Sequence, residues 1–239
     1  QNFIDNSFDP IISYGVHAAI NHYFATPETD IPIEPRSFVL ADTGGNYYEG
    51  TTDITRTVVM GPVTEEQKMY FTAVLRGMLN LGAAKFRYGC TGVNLDYLAR
   101  GPLWELGQDF NHGTGHGVGY LLNVHEGPNS FRWRNVPGGN AVFEEGMITS
   151  DEPGYYVEDG YGIRHENMLV CKKAEKTSYG QFMCFEFLTM VPFDLDGIIP
   201  EQMTARERKL LNDYHAQVYK KISPYLENEE KEWLKEATR

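Results

Sequence analysis

Apolar residues change their spacing several times along the 239-residue chain, and each change predicts an element. Residues 10–25, PIISYGVHAAINHYFA, hold a short apolar run, a break at Gly15 and a second short segment carrying His22. The proline-bearing tract TPETDIPIEP predicts a connector. Phe38 to Ala41 is a continuous apolar run that ends at Asp42 and a Gly44-Gly45 pair, and TTDITRTVVMG beyond it is rich in β-branched residues. These predict an antiparallel pair, with Asp42 ending one strand and Asp53 inside the next. The turn region from Gly44 to Gly50 is too long for a two-residue hairpin. From Thr64 the period becomes helical. Thr64 with Glu65 and Glu66 reads as an N-cap with an acidic first turn, and Met69, Ala73, Leu75, Met78, Leu79 and Ala83 mark a core-facing stripe. A shorter helix in LDYLARGPLWELG is predicted to stop or kink around Gly101 and Pro102.

Residues 128–146 read as loop. GMITSDEPGYY and YGIRHENMLVCKKA then predict two strands joined by a turn around EDGYG. Beyond Gly180, FMCFEFLTMVPFDL is apolar at both parities and suits a strand entering a buried contact. TARERKLLNDYHAQVYKKI and NEEKEWLKEA are amphipathic helix. The expected class is α+β, divided into residues 1–180 and a helical extension over 181–239.

Composition narrows the function. A hydrophobic fraction of 41% with 13% aromatics predicts a folded globule. A net charge of −12 speaks against nucleic acid or an anionic membrane as partner. Cys90, Cys171 and Cys184 form neither a zinc pattern nor a disulfide framework, which predicts a reducing compartment. No apolar run is long enough to span a membrane, and QNFIDNSFDP does not read as a secretory leader. The first residue is Gln rather than Met, so the expectation is a piece of a longer chain.

The chemistry gathers in Asn111 to Gly127, NHGTGHGVGYLLNVHEG, where three of the chain's seven histidines, His112, His116 and His125, lie among glycines. Histidine supplies nitrogen ligands or proton handlers near neutral pH. Each predicted strand also carries an acid: Asp42, Asp53, Glu152 and Glu166. A single such acid is ordinarily a surface group. Four converging in an apolar sheet would repel one another, and divalent cations would resolve that. One imidazole among many oxygens favours hard or borderline ions such as Mn²⁺, Co²⁺, Fe²⁺ or Zn²⁺. Period-2 alternation puts Arg164 and Glu166 on one face and His165 on the other.

The set LADTGGNYYEGTTDITRT, NHGTGHGVGYLLNVHEGP, TSDEPGYY and GIRHENMLV resembles the pita-bread metallopeptidase family, which includes methionine aminopeptidase, prolidase and Xaa-Pro aminopeptidase. The resemblance spans about residues 10 to 172. It implies an antiparallel curved sheet covered by helices and a two-metal site, with Mn²⁺ the first expectation. Asp42, Asp53, His116, Glu152 and Glu166 match the family's five ligands, including its ten-residue gap between the two aspartates. Within the family the chain looks most like the cytosolic Xaa-Pro aminopeptidase branch. INHYFATPET resembles the stretch carrying a substrate-side histidine at His22, and the tail from Phe182 is similar to that branch's C-terminal extension.

The implied reaction is hydrolysis of the first peptide bond of Xaa-Pro-Yaa peptides. It would have Glu152 as general base and His125, then His22, as donors to the scissile carbonyl. His112 would wall the proline ring, and Arg164 would orient the substrate or a ligand carboxylate. The branch also implies a cytoplasmic homodimer joined through the extension, and two further domains before the catalytic one. Prolidase is the nearest alternative enzyme. A non-catalytic pita-bread peptide-binding module is the other alternative, though such modules have typically lost ligands that are present here.

Overall fold

The computed structural model describes residues 2–121 and 123–239. The chain begins with an exposed strand β1 (Phe3–Asn6), then β2 (Ile11–Tyr14) and a 3-10 turn over Gly15–Ala19. After the connector come β3 (Phe38–Thr43), β4 (Gly45–Tyr47), β5 (Gly50–Thr51) and β6 (Ile54–Val59). β3 and β6 form the expected antiparallel pair, with Asp42 opposite Thr55, and β2 flanks β3 on its other side. The long turn is itself a small sheet in the order β1-β4-β5. That sheet moves Asp53 out of the strand where the pattern placed it. The Thr52 amide bonds back to the Gly45 carbonyl at 2.8 Å, and the ladder with β3 starts only at Ile54.

Helix α1 (Glu65–Gly82) begins as its first residues predict. Thr64 Oγ1 accepts from the Gln67 amide at 3.1 Å and Gln67 Oε1 accepts from the Thr64 amide at 2.8 Å, a reciprocal capping box. Glu65 and Glu66 complement the positive end of the helix. Phe71, Val74, Leu75, Met78 and Leu79 are fully buried, and each such side chain contributes about 1.5–3 kcal/mol through burial. β7 (Lys85–Arg87), α2 (Gly92–Leu95) and α3 (Tyr97–Trp104) follow. The helix does not stop at Gly101–Pro102, because α3 runs through Pro102 to Trp104. Proline removes a single bond there, and buried Ala99, Arg100 and Leu103 hold the short helix against α1 and the loop that follows it.

β8 (Gly115–His116) and β9 (Ser130–Phe131) pair across the histidine loop. The two later strands of the sequence reading are four: β10 (Ile148–Asp151), β11 (Gly154–Val157), β12 (Tyr161–Arg164) and β13 (Asn167–Thr177). β11 pairs with β12, and β10 pairs with β13. The breaks fall at Glu152–Pro153 and His165–Glu166. There the Glu152 amide turns to the Thr114 carbonyl at 2.8 Å and the Glu166 amide to the Thr55 carbonyl at 3.1 Å. Proline at 153 has no amide to offer the hairpin. Glu166 therefore stands in a break, not inside a strand as expected.

The apolar run past Gly180 enters the sheet as β14 (Gly180–Phe187), between β13 and β7 in the order β10-β13-β14-β7. Two helices close the chain, α4 (Ala205–Ile222) and α5 (Asn228–Ala237). Leu211, Tyr214 and Val218 of α4 share one core with Phe71, Phe193 and Ile163. Every strand pairing is antiparallel among the described residues, as the α+β reading expects. Among those residues no helix is long and apolar enough to cross a membrane, and the three cysteines are free.

Candidate functional site

The ends of β3 and β8, the segment before β6 and the two strand breaks face one cavity of about 560 Å³. Asp42, Asp53, His116, Glu152 and Glu166 all line it, together with His22, His112, His125 and Arg164. His116 is at the centre. Its Nε2 lies 3.4 Å from Asp53 Oδ2 and 3.3 Å from Glu152 Oε1. Its Nδ1 is 2.9 Å from the Gly117 carbonyl, so Nδ1–H donates there and Nε2 is turned toward the acids.

The acids are burdened with charge. Burial pushes Glu166 well above the usual carboxylate range, and the charges of Asp53, Glu152 and Asp42 add to it. Burial raises Glu152 to about 7; His116 opposes the rise and Asp53 adds to it. Burial raises Asp42 too, against the Arg164 guanidinium and with the Asp53 charge. Burial alone would lower His116, but the contact with Asp53 and the Glu152 charge carry it up to about 9.

This set fits divalent metal. Asp53, His116 and Glu166 each offer a ligand atom within 4.8 Å of the others. Asp42 Oδ1 is buried without a hydrogen-bond partner among the described residues. Four carboxylates and one imidazole are the donors a hard or borderline dication takes.

The surrounding histidines divide by geometry. The His125 ring stands 4.3 Å from that of His116, nearly perpendicular, and 6.4 Å from that of His22. Burial and the neighbouring His116 keep His125 below its ordinary pKa. His112 is locked. Its Nδ1 donates to the Gly113 carbonyl at 2.7 Å and its Nε2 accepts from the Tyr156 hydroxyl at 2.9 Å. Burial holds it down to about 3, so it is a neutral wall.

Arg164 lines the cavity, but its guanidinium is committed. It donates to Asp42 Oδ2 at 2.6 Å, to the Tyr156 hydroxyl at 2.9 Å and to Thr55 Oγ1 at 3.1 Å. His165 points the other way, edge-on to Phe71 in the core, as alternation predicts.

Thr55 and Tyr156 are among the site residues that escaped the sequence reading. Thr55 donates to Glu166 Oε2 at 2.7 Å, and Tyr156 joins Arg164 to His112. Tyr156 had a signal. The register pairs Gly154 with Arg164 and Tyr156 with Gly162, so two glycines clear one face for two large side chains. A Cβ at Gly154 would lie 2.4 Å from the Tyr156 hydroxyl.

Residues 1–173 match the model of metallopeptidase family M24, and residues 181–239 match the C-terminal region of that family. The chain is 44% identical to the Arthroderma otae protein named "Probable Xaa-Pro aminopeptidase P", over 99% of this chain and 38% of that one. It is 43% identical to Aminopeptidase P1 of Arabidopsis thaliana, over 100% and 37%. Among solved structures it superposes on the X-prolyl aminopeptidase of Caenorhabditis elegans with a TM-score of 0.93 at 38% identity, covering 100% of this chain and 39% of that one. That protein is described as a cytosolic enzyme with a di-nuclear active site. Prolidase from Pyrococcus furiosus superposes with a TM-score of 0.66 at 31% identity, over 80% and 51%. The chain thus spans about two-fifths of the length of the curated relatives it matches. The fold is the pita-bread architecture that the motifs imply, and the chain belongs to metallopeptidase family M24.

Proposed function

We propose that the chain carries the centre of a metal-dependent Xaa-Pro aminopeptidase, releasing the first residue from Xaa-Pro-Yaa peptides. The observation that carries this is the convergence of Asp42, Asp53, His116, Glu152 and Glu166 on one cavity ringed by His22, His112 and His125. The five would hold two divalent ions, with Mn²⁺ the ion we expect. When bound, such ions supply Lewis acidity and offset the crowded negative charge.

Glu152 takes the proton of the attacking water. It is the site acid whose Oε1 also accepts a hydrogen bond from Ser150, at 2.9 Å, which fixes its direction. His125, neutral near pH 7, donates to the carbonyl oxygen as negative charge develops there, with His22 beside it. His112, which lines the cavity and is backed by Phe110 at a ring-centroid distance of 4.8 Å, forms a wall for the proline ring. Arg164 acts on the substrate side through Asp42 and Tyr156, which its guanidinium holds. The substrate amine meets the acids near Asp42, which confines cleavage to the N-terminus.

The names of the relatives support this reading, and the match of residues 181–239 to the C-terminal family region favours it over prolidase. By the same comparison we infer a cytoplasmic protein with further domains completing it; that it works as a homodimer is inferred from the resemblance of its extension alone. The exposed Trp233, Tyr225 and Leu188 are candidates for the dimer contact, and sedimentation showing a monomer at micromolar concentration would remove it.

The deciding assay compares Xaa-Pro-Yaa with Xaa-Pro, with metal content measured on the same sample. Cleavage of the tripeptide with two ions per chain is expected. Cleavage of the dipeptide alone would make it a prolidase. Two bound ions with no hydrolysis of either would leave a peptide-binding module.

A further inference from the structure

Arg56 lies behind the acid cluster, and the mechanism above does not use it. It sits on β6 at 7% exposure, and its hydrogen bonds go to neutral oxygens on two sides. On one side it donates to the Val191 carbonyl at 2.8 Å, the Pro192 carbonyl at 3.1 Å and the Tyr214 hydroxyl at 3.1 Å, all in the C-terminal stretch. On the other it donates to the Glu166 carbonyl at 2.6 Å, the Thr55 carbonyl at 2.9 Å and Asn167 Oδ1 at 2.7 Å. The Phe193 ring lies against the guanidinium at 4.0 Å.

The Glu166 side is where support is needed. Glu166 stands in the break between β12 and β13, so the hairpin ladder does not hold its backbone. Its amide goes to the Thr55 carbonyl and its Oε2 to Thr55 Oγ1. Its carbonyl goes to Arg56. The same planar fork therefore grips the backbone of a site carboxylate and three oxygens of residues 188–214. Tyr214 comes from α4, whose Val218 packs in the same core.

We propose that Arg56 is a positioning residue through which the C-terminal stretch holds Glu166 in place, so that residues 181–239 set the affinity of the centre for divalent ions. This rests on Glu166 being a ligand. It gives the extension a task at the site itself, separate from any contact between subunits. A lysine at 56 has one ammonium and cannot span both sets of oxygens. A phenylalanine at 214 keeps the ring and removes one acceptor from Arg56.

The test is Co²⁺ titration of the 239-residue chain, followed by calorimetry and by the visible absorption of the bound ion. The proteins are wild type, Arg56→Lys, Tyr214→Phe and Val218→Ala. Arg56→Lys is expected to weaken at least one ion by about 10- to 100-fold and to change the absorption band. Tyr214→Phe is expected to weaken it about threefold to tenfold, the worth of one hydrogen bond. Val218→Ala, which loosens the same core without touching Arg56, is expected to melt earlier and bind Co²⁺ as wild type does.

If Arg56→Lys does not fold, Tyr214→Phe decides. Wild-type affinity and spectrum in folded Tyr214→Phe would overturn the inference, as would an equal loss in Val218→Ala. A wild-type chain that binds no Co²⁺ would overturn the ligand reading along with it. A wild type that binds two ions with the variants unmoved would overturn this inference alone.

Discussion

Gly77→Ala should destabilise the protein even though alanine is the better helix former. Gly77 lies in the middle of α1, where α3 crosses. A Cβ there would lie 2.1 Å from the Ala99 carbonyl oxygen, against the 3.4 Å or more of ordinary contact. The obstacle is backbone, so no rotamer change relieves it, and the helices must part by roughly 1 Å. Helix propensity favours alanine by about 1 kcal/mol. Overpacking a filled core costs about 1–3 kcal/mol and occasionally more, and here the parting also loosens fully buried Ala99, Leu103 and Leu79. The second effect wins, with a net loss of about 1–2 kcal/mol and a melting point about 2–8 °C lower for a chain of this size.

The displacement also has a route to the site. Arg100 on α3 donates to the Phe110 carbonyl at 2.7 Å, the His112 carbonyl at 2.8 Å and Asp96 at 2.7 Å. Asp96 accepts from Thr114 Oγ1 at 2.6 Å, and the Thr114 carbonyl accepts the Glu152 amide. Thermal melts followed by circular dichroism, with peptide turnover on the same samples, check both parts. A variant that melts at or above the wild-type temperature would refute the packing argument.

Three further outcomes follow from the site and the core. Glu166→Gln or Asp53→Asn should lose at least one of two bound ions, because an amide is a poor substitute for a carboxylate at such a site; undiminished metal by elemental analysis in both would exclude these residues as ligands. His125→Ala should lower kcat on a Xaa-Pro-Yaa peptide by roughly 10²–10³ with metal content unchanged, and an unaltered kcat would reject its role as a donor. His215 is buried and accepts the Phe193 amide at Nε2, and burial with the nearby Arg56 charge brings it down to about 4. Its stabilising contribution is therefore complete above the unfolded value of about 6.5 and is lost as pH falls toward 4, amounting to about 2 kcal/mol by pH 5. Urea melts at pH 7.5 and 5.0 should show a loss larger by about that amount in wild type than in His215→Gln, and equal losses would contradict it.

Much of the fold was written in local chemistry. Thr64 and Gln67 close a capping box because both partners lie within one turn. The β3–β6 pair follows from an apolar run and a β-branched run around a glycine-rich turn. Non-local partners produced the departures. Asp53 leaves the ladder because Thr52 bonds to Gly45, and the two late strands break where Glu152 and Glu166 turn their amides to Thr114 and Thr55. Period-2 alternation sees only side-chain parity and cannot register an amide that bonds outside its own hairpin. Pro102 was over-read for the opposite reason: one missing bond is minor beside the burial of Ala99 and Leu103.

The site shows the same division between what a pattern carries and what only the fold decides. Acids ending apolar strands beside a glycine-rich histidine loop imply a shared pocket, since such acids otherwise face water, and all five residues do line one cavity. Arg164 was harder. Its parity places it with Glu166, but a guanidinium on that face could serve a substrate or any of four acids. The fold selects Asp42, 122 positions away, and gives it Arg164 at Oδ2. Among the described residues, the Glu166 carboxylate receives the neutral Thr55 hydroxyl. At their side-chain oxygens, Asp42 thus has an arginine partner where Glu166 has a hydroxyl. The three residues that offer ligand atoms within 4.8 Å of one another, Asp53, His116 and Glu166, include that second acid. A pattern of acids along the chain shows that positive charge is needed, and the unequal partners of Asp42 and Glu166 show where in the pocket the need is greatest.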